Sequence, residues 1–125
     1  MPAKKVFIYC RKATEEQARQ PSDTALAEQE ETCRRYCAEN NLTVVSVTQE
    51  IASGATWEGR PQFMEMRTKC LNGEVGGIVV ATPDRLCRNH EHLSCLITEM
   101  QAHHVSLICV KDQDALQENP FFNIL

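Results

Sequence analysis

The sequence has no excess of positive charge and no long apolar run, and each absence excludes a class of protein. Lysine and arginine number 13 against 17 aspartate and glutamate residues, which gives a formal net charge of −4. A surface that coats nucleic acid non-specifically needs clustered basic residues, so contact with nucleic acid must come from a local cluster or another domain. No apolar run approaches the roughly 20 residues that span a bilayer, so we expect a soluble protein with no membrane partner.

The cysteines lack the spacing of a disulfide framework. There are seven, an odd number, and they lie inside apolar stretches or at helical spacing, as Cys33 and Cys37 do. This usage is typical of a protein kept in a reducing cytoplasm. No CxxC pair or second cysteine pair completes a four-ligand zinc site, so we expect no metal.

Four short apolar runs predict β-strands at residues 5–10, 42–49, 76–82 and 105–110. The first, third and fourth runs are almost continuously apolar, which is typical of central strands covered on both faces. The second alternates between apolar and polar residues, as an edge strand does.

Segments with helical spacing separate these runs, at residues 22–39, 61–72 and 89–103. Pro61 suits the first position of the second helix, and Gly73 stands where that helix should stop. The alternation of strand and helix predicts an α/β fold of three layers, α/β/α, with a mainly parallel sheet of four to five strands. At 125 residues the chain has the size of one domain.

Arginines recur where the predicted strands end. Arg11 follows the first strand, the loop after the second runs to Arg60, and the third is followed by Asp84, Arg85 and Arg88. Ligands of open parallel sheets bind at the carboxyl ends of the strands. Guanidinium groups grip phosphate oxygens in pairs and neutralise the charge that builds during phosphoryl transfer. The pattern therefore predicts a phosphate site.

Three alternatives stay open at this point. The arginines could be ordinary solvated surface residues, although Arg60 would also stand at a helix N-cap, where backbone N–H groups favour an anion. Asp84 could orient the arginines, relay a proton, or form a structural salt bridge. Gln29 falls on the apolar stripe of its helix, so it should point inward, either to bond backbone or to support the arginines from below.

Four motifs resemble the serine recombinases, the family of resolvases, DNA invertases and large integrases. They are YCRKAT at 9–14, the two glutamines Gln17 and Gln29, SGATWEGRP at 53–61, and DRLCR at 84–88. The resemblance covers essentially the whole chain with the motifs in the family's order. The long loop and its Arg-Pro ending are most similar to the large integrase subgroup.

The resemblance implies a catalytic domain for DNA recombination. In the family a serine hydroxyl attacks a backbone phosphate, becomes joined to the 5′ phosphate and releases a 3′ hydroxyl, and strands are exchanged in a tetramer without metal, nucleotide or other cofactor. The family's phosphate-stabilising arginines match Arg11, Arg60, Arg85 and Arg88. Its supporting polar residues match Asp84, Gln17 and Gln29.

The chain departs from the family at the nucleophile, because Ala13 stands where the serine belongs. A methyl group has no lone pair to attack phosphorus, so we expect no cleavage. Ala13 is either an engineered replacement or the mark of a natural inactive paralogue that binds DNA or partners without cutting.

We expect residues 1–125 to be the catalytic domain, ending near the start of the long dimerisation helix, with the DNA-binding domains absent and dimers or tetramers formed by the full-length protein.

Overall fold

Strands and helices alternate in the computed structural model, which describes residues 4–12, 26–52, 59–82, 85–86 and 90–111. The strands are β1 (Lys4–Lys12), β2 (Leu42–Ile51), β3 (Gly77–Val80) and β4 (Ser106–Cys109). The helices are α1 (Leu26–Glu39), α2 (Pro61–Leu71) and α3 (His90–Ala102). The predicted order of elements is confirmed.

The described strands form one parallel sheet in the order β2-β1-β3-β4. β2 lies at an edge, as its alternating pattern predicts. β4 lies at the other edge of the described sheet, so the central position expected for residues 105–110 is wrong within this part of the chain. Its apolar character has another cause: Leu107, Ile108 and Cys109 are buried because helices cover both faces of the sheet.

Side chains of β1 alternate between two apolar cores. Phe7 and Tyr9 pack in the core that contains residues of α2 and α3. Ile8 faces the opposite core, which is closed by Cys33 and Cys37 of α1. The three-layer α/β/α architecture is therefore confirmed.

The ends of two elements bear on the site. β1 runs on to Lys12, because β2 pairs with it as far as Ile51. Arg11 therefore lies inside the strand, and the expectation that the strand ends at residue 10 is wrong. α2 begins at Pro61 and ends one residue earlier than predicted, and Gly73 follows with a φ of 81° that suits glycine.

The predicted first turn of α1, residues 22–25, lies outside the described residues. None of the described helices is long and apolar enough to cross a membrane.

β1 and β3 part before β1 ends. β3 pairs with β1 only at Val6, Phe7 and Ile8, whereas β2 follows β1 to its last residue. The chain leaves β1 toward β2 on one side and returns to β3 on the other, so this gap is the topological switch point of the sheet. The backbone N–H and C=O groups at the end of β1 that face this gap must therefore find partners other than β3.

Candidate active site

Gln29 of α1 takes the place that β3 leaves beside the end of β1. The Arg11 backbone N–H donates to Oε1 of Gln29 at 3.1 Å, and Nε2 of Gln29 donates to the Arg11 carbonyl at 2.9 Å. A primary amide carries the same donor and acceptor as a peptide group, so it continues the parallel ladder by one step. Gln29 is buried, as its place on the apolar stripe predicts, and it bonds backbone, whereas its support of the arginines stays a prediction.

The side chain of Arg11 is fully buried and bonds two backbone carbonyls. Its Nε donates to the carbonyl of Arg85 at 3.1 Å, and its Nη1 donates to that of Ala52 at 2.9 Å. These carbonyls follow β3 and β2 respectively. One guanidinium group therefore connects the carboxyl ends of three strands.

Arg60 approaches the same point from the N-terminus of α2. Its Nη2 donates to the Arg85 carbonyl at 3.2 Å, and its Nε donates to the Tyr9 hydroxyl at 3.1 Å. The guanidinium carbon lies 4.1 Å from the ring centroid of Phe63 and 5.3 Å from that of Tyr9. Cation–π contact with two rings and complete burial fix the orientation of this group.

Arg85 completes the cluster. Its Nη1 donates to the Arg11 carbonyl at 3.2 Å, and only 5% of the residue is exposed. The structure thus brings Arg11, Arg60 and Arg85 together from β1, the start of α2 and the turn after β3. The alternative of solvated surface arginines is wrong for these three. We name them the arginine cluster.

Sequence reasoning missed Glu50, which pairs with Arg11 in the β1–β2 register. Its buried carboxylate accepts the backbone N–H groups of Gln62 and Phe63 at 2.9 and 3.3 Å. The expectation that the α2 N-terminus helps to bind an external anion is therefore corrected, because an internal carboxylate already occupies these donors. The available signal was an acid at the end of a strand, ahead of the Arg60-Pro61 helix start.

Tyr9 was also missed as a site residue, although it opens the YCRKAT motif. Its hydroxyl donates to Oε1 of Glu50 at 2.8 Å and accepts from Arg60. Burial is the main cause that raises the Tyr9 pKa well above its ordinary value, so the hydroxyl keeps its proton.

Two guanidinium nitrogens of the cluster have no hydrogen-bond partner in the described part of the chain. They are Nη1 of Arg60 and Nε of Arg85, and both atoms are buried. A buried donor without a partner costs about 1–3 kcal/mol, so an oxygen ligand at either atom would be stabilised. The chemistry available here is the binding of an oxyanion.

Four predicted site residues, Ala13, Gln17, Asp84 and Arg88, lie outside the described residues. The roles predicted for all eight site residues stay predictions. Within the described ranges no group of three His, Cys, Asp or Glu side chains could hold a metal ion.

The chain is similar to known recombinase domains. The family model described as "Resolvase, N terminal domain" matches residues 6–125. No curated protein sequence matches the chain.

Several solved structures share the fold. The N-terminal catalytic domain of TP901-1 integrase has a TM-score of 0.77 and 20% identity, over 94% of this chain and 88% of that one. A resolvase family site-specific recombinase from Streptococcus pneumoniae has a TM-score of 0.72 and 29% identity, over 87% and 73%. The C-terminal catalytic domain of ISC1926 TnpA, an IS607-like serine recombinase, has a TM-score of 0.72 and 21% identity, over 93% and 77%.

The motifs, the α/β fold and the family match over residues 6–125 agree with one another. The chain therefore belongs to the resolvase N-terminal domain family and is the catalytic domain of a serine-type site-specific DNA recombinase.

Proposed function

We propose that the arginine cluster binds the scissile phosphate of DNA and that Ala13 keeps this domain from cleaving it. The observation that carries the proposal is that three buried guanidinium groups meet at the switch point of the sheet, where Arg11 and Arg60 bond the Arg85 carbonyl and Arg85 bonds the Arg11 carbonyl. The site holds three positive charges away from water, and the acceptors described there do not neutralise all of them. A phosphodiester supplies the missing negative charge and oxygen acceptors.

Position 13 suits the attacking group. It lies two residues after Arg11, so its Cα is within about 7 Å of the Arg11 Cα whatever conformation the chain takes. A serine there would form a bond from its hydroxyl oxygen to phosphorus, lose its proton, and break the bond between phosphorus and the 3′ oxygen, which leaves as a hydroxyl. The cluster would stabilise the extra charge on the phosphorane oxygens.

The test restores the nucleophile with Ala13→Ser. The variant is fused to a DNA-binding module of known specificity and mixed with labelled duplexes that carry two module sites around a randomised core. The fusion removes weak DNA affinity as a reason for failure. We expect a DNA–protein adduct that survives denaturation and maps to the peptide containing residue 13, and none from the unchanged chain.

A second candidate is a non-catalytic protein that binds DNA or a partner on the same fold. It is favoured by Ala13 and by the engagement of Arg11 with two backbone carbonyls, which gives that arginine a structural role. A folded Ala13→Ser fusion that binds its duplexes without forming an adduct would support this candidate and contradict the first.

Further parts of the proposal rest on family membership. We infer that Gln17, Asp84 and Arg88 join the site, with Arg88 on the phosphate and the other two as supporting polar groups. DNA is the substrate, and strand exchange takes place in a tetramer of the full-length protein. The domain works in the cytoplasm, where its many buried thiols remain reduced.

A further inference from the structure

Glu50 is a buried carboxylate with three donors from two elements. Oε1 accepts the Tyr9 hydroxyl and the Phe63 N–H, and Oε2 accepts the Gln62 N–H. The residue is 4% exposed. A buried carboxylate is stable only when its oxygens are satisfied, and here the helix N-terminus adds its own favourable field.

The Tyr9 hydroxyl links this carboxylate to the arginine cluster. A phenol has one proton, and Glu50 accepts it, so the lone pairs of the oxygen are left for the Nε–H of Arg60. Each bond therefore sets the direction of the next. Because burial keeps the Tyr9 pKa high, the hydroxyl does not exchange these roles by ionising.

We propose that Glu50, acting through the Tyr9 hydroxyl, is a positioning residue that fixes the orientation of the Arg60 guanidinium, whose buried Nη1 has no partner in the described residues and would bond the scissile phosphate. The Glu50 carboxylate acts on the guanidinium indirectly, because its oxygens accept the Tyr9 hydroxyl and the N–H groups at the start of α2. It fixes the start of α2 and the Tyr9 phenol relative to each other, and Arg60 lies between them. The part of this inference that concerns phosphate rests on the function proposed above.

A glutamine at position 50 could not do the same work. An amide offers one acceptor oxygen and an NH₂ group that would face a donor, whereas all three contacts of Glu50 require an acceptor. In Glu50→Gln the NH₂ group faces either the Gln62 N–H or the Tyr9 hydroxyl and the Phe63 N–H, so the start of α2 or the phenol should shift and Arg60 should loosen. Tyr9→Phe removes only the hydroxyl and keeps the ring that packs edge-to-face on Phe63 at 5.5 Å.

The experiment observes Arg60 itself in the unchanged Ala13 background. The Nε–H signal of Arg60 is identified in ¹H–¹⁵N spectra by its loss in Arg60→Lys, and its exchange with water is measured. We expect exchange to become about tenfold faster or more in Tyr9→Phe and in Glu50→Gln. An unchanged signal and rate in both folded variants would overturn the proposal.

Two control variants separate positioning from general destabilisation. Tyr36→Phe removes the hydroxyl of a half-buried tyrosine on α1, outside the arginine cluster. Glu99→Gln breaks the ion pair that ties α3 to Arg67 of α2. Both should leave the Arg60 signal and its exchange unchanged. Movement of that signal in Glu99→Gln by as much as in Glu50→Gln would mean that any loosening of α2 suffices, and the proposal would be wrong.

A second measurement uses the Ala13→Ser fusion. Tyr9→Phe in that background should slow adduct formation at least about tenfold, and Tyr36→Phe should not. If Ala13→Ser forms no adduct with Tyr9 intact, the proposed function fails, whereas the exchange measurement still decides whether Glu50 positions Arg60. Equal adduct rates for the two tyrosine variants would contradict the inference.

Discussion

Replacing Gln29 with leucine removes the amide that continues the β1 ladder and keeps most of the side-chain volume. Both hydrogen bonds to the Arg11 backbone are lost. The Arg11 carbonyl retains the bond from Nη1 of Arg85, so the larger cost falls on the N–H. Since leucine fills the space, the cavity contribution is small and the measured loss reports the hydrogen bonds.

The magnitude follows from these bonds. Each contributes about 1 kcal/mol, and an unsatisfied buried donor costs about 1–3 kcal/mol. We expect Gln29→Leu to lower the free energy of unfolding by about 3 kcal/mol. For a domain of this size that corresponds to a Tm lower by about 10 °C.

The assay is urea unfolding followed by circular dichroism, with thermal unfolding as a second measurement. Gln101→Leu is the matched control, because Gln101 lies on α3 with its side chain exposed, and it should change stability by less than about 0.5 kcal/mol. A loss below about 1 kcal/mol for Gln29→Leu would refute the reasoning, since it would mean that the end of β1 satisfies its backbone groups without the amide.

Two further predictions concern the cores and the helix pair. Cys95 on α3 is exposed, whereas burial raises the pKa of the Cys10 thiol to about 12. Iodoacetamide should therefore label Cys95 in the native protein and spare Cys10 until denaturant is added. Equal labelling of the two cysteines in peptide mass spectra would contradict the buried core. Arg67 bonds both carboxylate oxygens of Glu99, with Nε 2.6 Å from Oε1. A double-mutant cycle with Arg67→Ala and Glu99→Gln should therefore give a coupling free energy of about 1 kcal/mol for unfolding. A coupling near zero would show that this pair contributes nothing to stability.

The order of elements could be predicted from the sequence because local patterns determine it. Pro61 and Gly73 bracket α2, and the alternation in 42–49 marks an edge strand. The position of β4 could not be predicted, since a strand covered by helices on both faces is apolar at an edge as well as in the middle. The end of β1 was missed because pairing with β2, a long-range interaction, extends the strand through the polar Arg11.

For the site, arginines near strand ends were enough to predict that Arg11, Arg60 and Arg85 meet. Their burial was not predictable, because it depends on acceptors that every residue possesses, the backbone carbonyls of Ala52 and Arg85. The role of Glu50 could not be predicted either, because its contacts also involve backbone groups that every residue possesses. Its partners are two backbone N–H groups and one hydroxyl, and only the folded chain places them around one carboxylate.

The carbonyl oxygen of Arg85 receives hydrogen bonds from both Arg11 and Arg60. N–H···O hydrogen bonds span about 2.7–3.2 Å, so a displacement of the Arg85 backbone by about 1 Å would break one bond of each arginine together, while Arg11 keeps its bond to Ala52 and Arg60 its bond to Tyr9. Through this shared acceptor, a shift of the Arg85 backbone would change the orientation of two guanidinium groups at once.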